Sequence, residues 1–159
     1  MSQKDKVWGE GFINLAKSKG FFVKKPTKSQ YDNFVNFLLV GKSADGSPKT
    51  VRVSLKLNKK NKPKSSWVWV ELKTHSGTPG WLYGESDFIV FELADKYLFA
   101  SRKSLLHHIH ETVDFNAPFV QEVWAAKYQI YQRPNKLDQI TQIKVANLQN
   151  LEGVYLWDK

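Results

Sequence analysis

The stretch Trp67-Val68-Trp69-Val70-Glu71-Leu72-Lys73, a Gly/Pro-rich turn through Gly80-Trp81-Leu82-Tyr83-Gly84, and Asp87-Phe88-Ile89-Val90-Phe91-Glu92 together decide the fold. Trp67, Trp69 and Glu71 alternate with Val68, Val70 and Leu72, which is the two-residue period of a strand, and Phe88 to Phe91 is a short apolar run of the kind that forms a buried strand. Two strands therefore flank a loop. Just upstream, Thr50 to Leu57 sets Arg52, Ser54 and Lys56 on one face and Val51, Val53, Leu55 and Leu57 on the other. The apolar face is expected to turn inward and the cationic face outward.

Outward from this centre the chain alternates helix and strand signals. Trp8, Phe12, Leu15, Ala16 and Lys19 follow helical spacing over Val7 to Lys19, and Gly20 stands where a left-handed C-terminal cap belongs. Phe21-Phe22-Val23 opens an extended segment that Lys24-Lys25-Pro26 interrupts, and Phe34 to Val40 reads as a central strand. Ala44-Asp45-Gly46-Ser47-Pro48 has hairpin-turn chemistry and pairs that strand with Thr50 to Leu57. Downstream, Tyr97 to Ala100 reads as a strand, and Ser101 caps a helix that runs through Leu105, Leu106, Ile109 and Val113. Trp124 to Arg133 and Gln139 to Val145 read as extended segments around Pro134-Asn135-Lys136, with Leu148 and Leu151 closing a short terminal element. Local pattern alone gives an α/β or α+β protein, in a single domain over residues 1–159, because strand order is not readable from it.

Of the 159 residues, 42% are hydrophobic and 14% aromatic, enough for a packed core and against a disordered chain. The absence of cysteine excludes disulfides, thiolate metal sites and a Cys nucleophile, and suits a reducing, cytoplasmic setting. Neither a signal peptide nor a membrane span is read, so no membrane partner is expected. A net charge of +9 attracts polyanions and gains from counterion release at phosphates, so nucleic acid is the expected partner. Asn58 to Ser66 concentrates that charge in Lys59, Lys60, Lys62 and Lys64, without an apolar residue apart from Pro63, and reads as a mobile cationic loop.

The Gly80 to Gly84 segment, the run Ser86 to Glu92 and Arg102-Lys103-Ser104-Leu105-Leu106 resemble phage and viral proteins of the PD-(D/E)xK nuclease superfamily. Gly9-Glu10-Gly11-Phe12 is similar to the opening of such folds, and Tyr131-Gln132-Arg133 with Asp138 to their C-terminal hairpin. The resemblance implies an α/β restriction-endonuclease-like scaffold with a mixed central sheet flanked by helices, a phage-encoded protein in the host cytoplasm, and Mg²⁺ held by a strand acid and an (Asp/Glu)-x-Lys tripeptide. By position those acids fall at Asn36 and at Ser54 of Ser54-Leu55-Lys56, so both expected carboxylates are missing. An amide and a hydroxyl supply none of the charge that holds Mg²⁺. The alternative is an active Mg²⁺-dependent endonuclease displaced to Glu71-Leu72-Lys73, with Lys56 assisting and Glu10, Asp32, Asp45 and Asp87 as further acids.

On a helix His107 and His108 diverge and only His107 and His110 share a face, which favours solvated histidines over a metal site. Trp67, Trp69, Trp81, Tyr83, Tyr97, Tyr128 and Tyr131 are candidates for base stacking or for core packing. Gly80 and Gly84 suit a tight turn rather than a phosphate cradle, and no Walker loop or dinucleotide fingerprint is present. The expected function is nucleic-acid binding, favouring single-stranded RNA or DNA, on a catalytically degenerate nuclease-like scaffold. Arg52, Lys56, Lys59, Lys60, Lys62, Lys64, Arg102, Lys103 and Arg133 are the expected phosphate contacts. A further reading is a phage-type protein whose basic face meets an acidic partner.

Overall fold

A computed structural model describes residues 7–58 and 66–159. Among these residues eight strands and four α-helices follow in the order α1 (Glu10–Ser18), β1 (Phe22–Lys24), α2 (Lys28–Asp32), β2 (Phe37–Lys42), β3 (Pro48–Lys56), β4 (Trp67–Lys73), β5 (Phe88–Glu92), β6 (Lys96–Ser101), α3 (Arg102–Thr112), β7 (Gln139–Lys144), α4 (Val145–Leu148) and β8 (Val154–Asp158). The architecture is α/β. A six-stranded sheet has the order β1-β2-β3-β5-β6-β8, and β4 and β7 form a separate two-stranded sheet. In the large sheet β3 and β5 run parallel and every other pair is antiparallel, so the sheet is mixed, as expected.

The parallel pair positions the site. Parallel neighbours need a crossover connection, usually a helix. Here β4, a turn and the 3-10 turn Trp81–Tyr83 lie between β3 and β5 in the chain, and β4 leaves the main sheet to pair with β7. The two strands recognised around the Gly-rich loop are both present, and they lie in different sheets.

Strand alternation assigns each face of the large sheet to a separate core. Val53, Leu55 and Val90 face α1, where Phe12 is fully buried among Phe37, Tyr97, Phe99 and Trp157. Burying such a ring contributes about 2–3 kcal/mol. Ile89, Phe91, Leu98 and Ala100 face the other way, onto Leu105 and Ile109 of α3 and onto Val68, Val70, Leu72 and Ile143 of the small sheet. Both faces are therefore covered, which corrects the expectation that the face bearing Arg52, Ser54 and Lys56 looks out. Ser54 is completely buried on it and Lys56 is half-buried.

Local chemistry accounts for the other differences. The first helix begins at Glu10 rather than Val7, because Gly9 takes a left-handed backbone (φ 75°) at its N-cap. The strand expected from Phe34 starts at Phe37, since Phe34 is itself left-handed (φ 69°). Before it lies the unexpected α2, closed by a capping box between Thr27 and Gln30. Ser101 caps α3 as expected, its Oγ accepting from the Ser104 N–H at 3.5 Å. Trp124 to Arg133 is not a strand; it holds a 3-10 turn at Val123–Ala125 and isolated bridges to β7. The terminal element is α4 followed by the edge strand β8. Among the described residues no helix is long and apolar enough to cross a membrane.

Candidate nucleic-acid interface

Of the five expected cationic contacts among the described residues, Arg52, Arg102 and Arg133 are already engaged. The Arg52 guanidinium donates to Asp87 at 3.2 and 2.9 Å, and its backbone N–H donates to the same carboxylate at 2.8 Å. Burial pushes the Asp87 carboxyl up, but these bonds and the Arg52 charge outweigh it and hold the group below its usual range. Arg52 is correspondingly raised by the hydrogen bond to Asp87. Arg102 donates to the Ser86 and Leu82 carbonyls at 2.9 and 3.3 Å, which fixes the Gly80–Gly84 turn to the start of α3. Arg133 is ion-paired to the buried Asp138. Lys103 is exposed on α3, while Lys59, Lys60, Lys62 and Lys64 lie outside the described residues.

The candidate acids are also spoken for. Asp45 accepts from Ser43 and Ser47 within the hairpin turn, which pushes its pKa far down, and Asp32 pairs with Lys28 on α2. Glu10 lies in the first turn of α1. Glu71 receives the Trp81 N–H at 3.4 Å, while Lys73 is exposed beyond a register shift in β4. Asn36 Oδ1 accepts from the Leu55 N–H at 2.8 Å, and the buried Ser54 Oγ has no hydrogen-bond partner among the described residues. The two positions that the nuclease resemblance assigns to metal ligands thus lie side by side. Their groups do not fit Mg²⁺: one is a committed neutral amide and the other an uncharged hydroxyl. Among the described residues no three His, Asp or Glu side chains are grouped to hold a metal ion. His107, His108 and His110 go separate ways, to Glu111 (2.9 Å), Tyr128 (3.4 Å) and Tyr83 (3.1 Å).

What the fold does bring together is a cavity of about 320 Å³ beyond the C-terminal ends of the parallel pair β3 and β5. Crevices at the carboxyl ends of parallel strands are the usual ligand positions in open α/β sheets. The main sheet contributes Lys56 to Asn58, Phe91 and Glu92; the crossover contributes Trp67 to Trp69 and Trp81; β7 contributes Gln142. Three indoles thus line one cleft.

Their partners differ. Trp81 is buried edge-on against Phe91 at 6.0 Å, and Lys56 Nζ stands 4.8 Å above its ring. Trp67 packs edge-on against Tyr128 at 5.8 Å, and Lys127 Nζ lies 5.0 Å over it. Trp69 is half-buried with no aromatic neighbour among the described residues. Lys144, paired across the small sheet from Trp67, is exposed. Of the other aromatic candidates, Tyr97 and Tyr131 are core residues, Tyr83 is exposed beside His110, and Tyr128 accepts from Asn147 at 2.7 Å.

Lys56 is the electrostatic anomaly of the cleft. It forms no salt bridge with a described residue, and burial lowers its pKa to about 8 although the nearby Glu71 charge acts to raise it. Glu92, at the same cavity, is already engaged: it accepts from the Asn58 N–H (2.9 Å) and the Tyr97 hydroxyl (3.3 Å) and pairs with Lys159 (3.3 Å). A half-buried ammonium is thus held among indoles, with the Glu71 carboxylate near enough to act on it but no salt bridge to a described residue. Sequence reasoning had singled out Lys56 and the tryptophans but missed Lys127, Lys144, Gln142 and Glu92, because only the β4–β7 pairing and the β3–β5 crossover bring them to one place. No protein-family model, curated protein or solved structure matches the chain.

Proposed function

We propose that this protein binds single-stranded nucleic acid, RNA or DNA, at the tryptophan cleft between its two sheets. In this reading the scaffold is a restriction-endonuclease-like one without metal-binding acids. The observation that carries the proposal is Lys56: a half-buried cation without a salt-bridge partner among the described residues, in a cleft lined by Trp67, Trp69 and Trp81. An aromatic face beside a cation accepts any unstacked base, and Lys127 and Lys144 stand where phosphates flanking that base are attracted. A stacked duplex offers no free base face to such a cleft, so single strands are favoured.

Fluorescence anisotropy with matched single-stranded RNA, single-stranded DNA and duplex DNA at one salt concentration tests this reading. The single strands should bind more tightly, and Trp69→Ala should weaken them about tenfold with the melting temperature little changed. Tighter duplex binding overturns the reading. Cleavage of either strand type in Mg²⁺ or Mn²⁺ that Glu71→Ala abolishes would assign the molecule to the endonuclease alternative at Glu71 and Lys73.

A further inference from the structure

We propose that β8, the open edge of the six-stranded sheet, pairs antiparallel with β8 of a second copy of this chain, joining the two main sheets across a two-fold axis at Leu156. The inference goes beyond the strand-binding reading and does not depend on it. Strand β8, Val154–Asp158, has β6 on one side and no strand on the other among the described residues. The Ser101 N–H donates to the Gly153 carbonyl and the Lys159 N–H to the Asp95 carbonyl, so the odd-numbered residues of β8 turn their backbone groups to β6. Those of Val154, Leu156 and Asp158 point the other way, and no described residue bonds to them. A row of free N–H and C=O groups is a template for another strand.

The two edges of the sheet are treated differently. Solvent-facing edges are blunted by shortness, lysine or proline, and β1 has all three: it is Phe22–Lys24, three residues long, and runs into Lys25-Pro26. Strand β8 has five residues without lysine or proline, and it leaves Tyr155 58% and Leu156 45% exposed. Its own pattern selects an identical strand. Full overlap of two β8 strands sets Leu156 opposite Leu156 of the second copy and Val154 opposite Asp158, which uses every free donor and acceptor of the edge. The same register puts Tyr155 beside Trp157 of the second copy, twice, at the non-hydrogen-bonded positions where facing side chains are closest. Asp158 is the one charge on the strand and meets an apolar residue, so no like charges face each other. Self-matching of this kind is what a two-fold contact requires. Five residues a side bury less than the roughly 1,200 Å² of a standard interface, so the pair is weak and concentration-dependent.

Sedimentation velocity over a concentration series should show the mass rising from that of one chain toward that of two. Leu156→Lys sets two ammonium groups opposite each other on the axis and should weaken the dimer about tenfold or more, with the melting curve close to native because that side chain is exposed. Phe22→Lys on the β1 edge, also exposed, should leave the dimer unchanged. The chain has no cysteine, so single replacements report the register under mild oxidation. Leu156→Cys should cross-link, since residues opposed in a hydrogen-bonded pair stand about 5.5 Å apart, within disulfide reach. Val154→Cys should not, because it faces Asp158 of the second copy. A chain that stays monomeric at every concentration overturns the inference and leaves the edge to a strand of another protein. A dimer that persists in folded Leu156→Lys, or that cross-links as readily through Val154→Cys as through Leu156→Cys, places the contact elsewhere and overturns it as well.

Discussion

Lys56 couples two properties that respond to pH in opposite directions. Its folded pKa of about 8 lies below the value of about 10.4 ordinary for an unfolded lysine. Between those values the unfolded chain binds more protons, so stability contributed by this site rises with pH across that window. Below pH 8 the buried charge is a standing cost. Binding runs the other way, since the proposed contact needs the protonated ammonium. Glu71 on β4 and Glu92 on β5 are the carboxylates nearest this chemistry, and the Tyr97 hydroxyl, raised by burial and by Glu92 to about 12, titrates above the window. From pH 7 to pH 9.5 the affinity for single-stranded RNA should therefore fall several-fold while the stability deficit relative to Lys56→Gln narrows. Denaturant melts and fluorescence titrations across that range check both signs, and a flat affinity would remove Lys56 from the binding chemistry.

At the scale of elements, the cleft exists because a turn is pinned against β4. The Gly80 N–H donates to the Leu72 carbonyl at 2.9 Å, and Thr74 closes the turn through the Thr78 carbonyl at 2.8 Å. A Cβ on Gly80 would stand 2.5 Å from the Glu71 carbonyl oxygen, and that backbone cannot retreat without breaking β4 from β7. Gly80→Ala should cost about 2–3 kcal/mol, read as a lower denaturation midpoint, and should weaken strand binding because Trp81 moves with the turn. A neutral substitution would mean that the turn is not held this way. Such contacts also mark how far the sequence could be read. The alternation of Trp67 to Leu72, the Ser101 cap and the hairpin at Asp45 are local signals, and each lies where it was read. The pairing of β4 with β7 is not local, and nothing in the alternation of β4 says which strand will receive it. Phe34 shows a different limit: its left-handed backbone contradicts the apolar run around it and is set by the Phe34 N–H and Val35 N–H bonds that close α2. The signal for α2 itself was present in Thr27 and Gln30, a capping box too close to Pro26 and too short in its helix to stand out.

For the whole molecule, a net charge of +9 says less about binding than the distribution of its uncommitted part. Arg52, Arg133, Lys28, Lys96 and Lys159 are each paired with a carboxylate, so the field available to a polyanion comes from other cations. Lys127 and Lys144 flank Trp67 at the cleft, and Lys59, Lys60, Lys62 and Lys64 add charge in the segment between β3 and β4. Salt dependence separates these groups, because each phosphate contact on a single strand contributes about 0.7 to the slope of log K against log salt. If Lys127 and Lys144 each hold a phosphate, the double replacement by Gln should flatten the slope by about 1.4. Replacing the four lysines between Asn58 and Ser66 should flatten it by about 3 if all of them do so. The Lys127 and Lys144 variant should keep the packed cores, since both residues are exposed, and melting curves should confirm it for each variant. An unchanged slope in the folded Lys127→Gln, Lys144→Gln protein would show that the strand does not follow this rim, and the backbone path would then have to run past Lys103 on the α3 side.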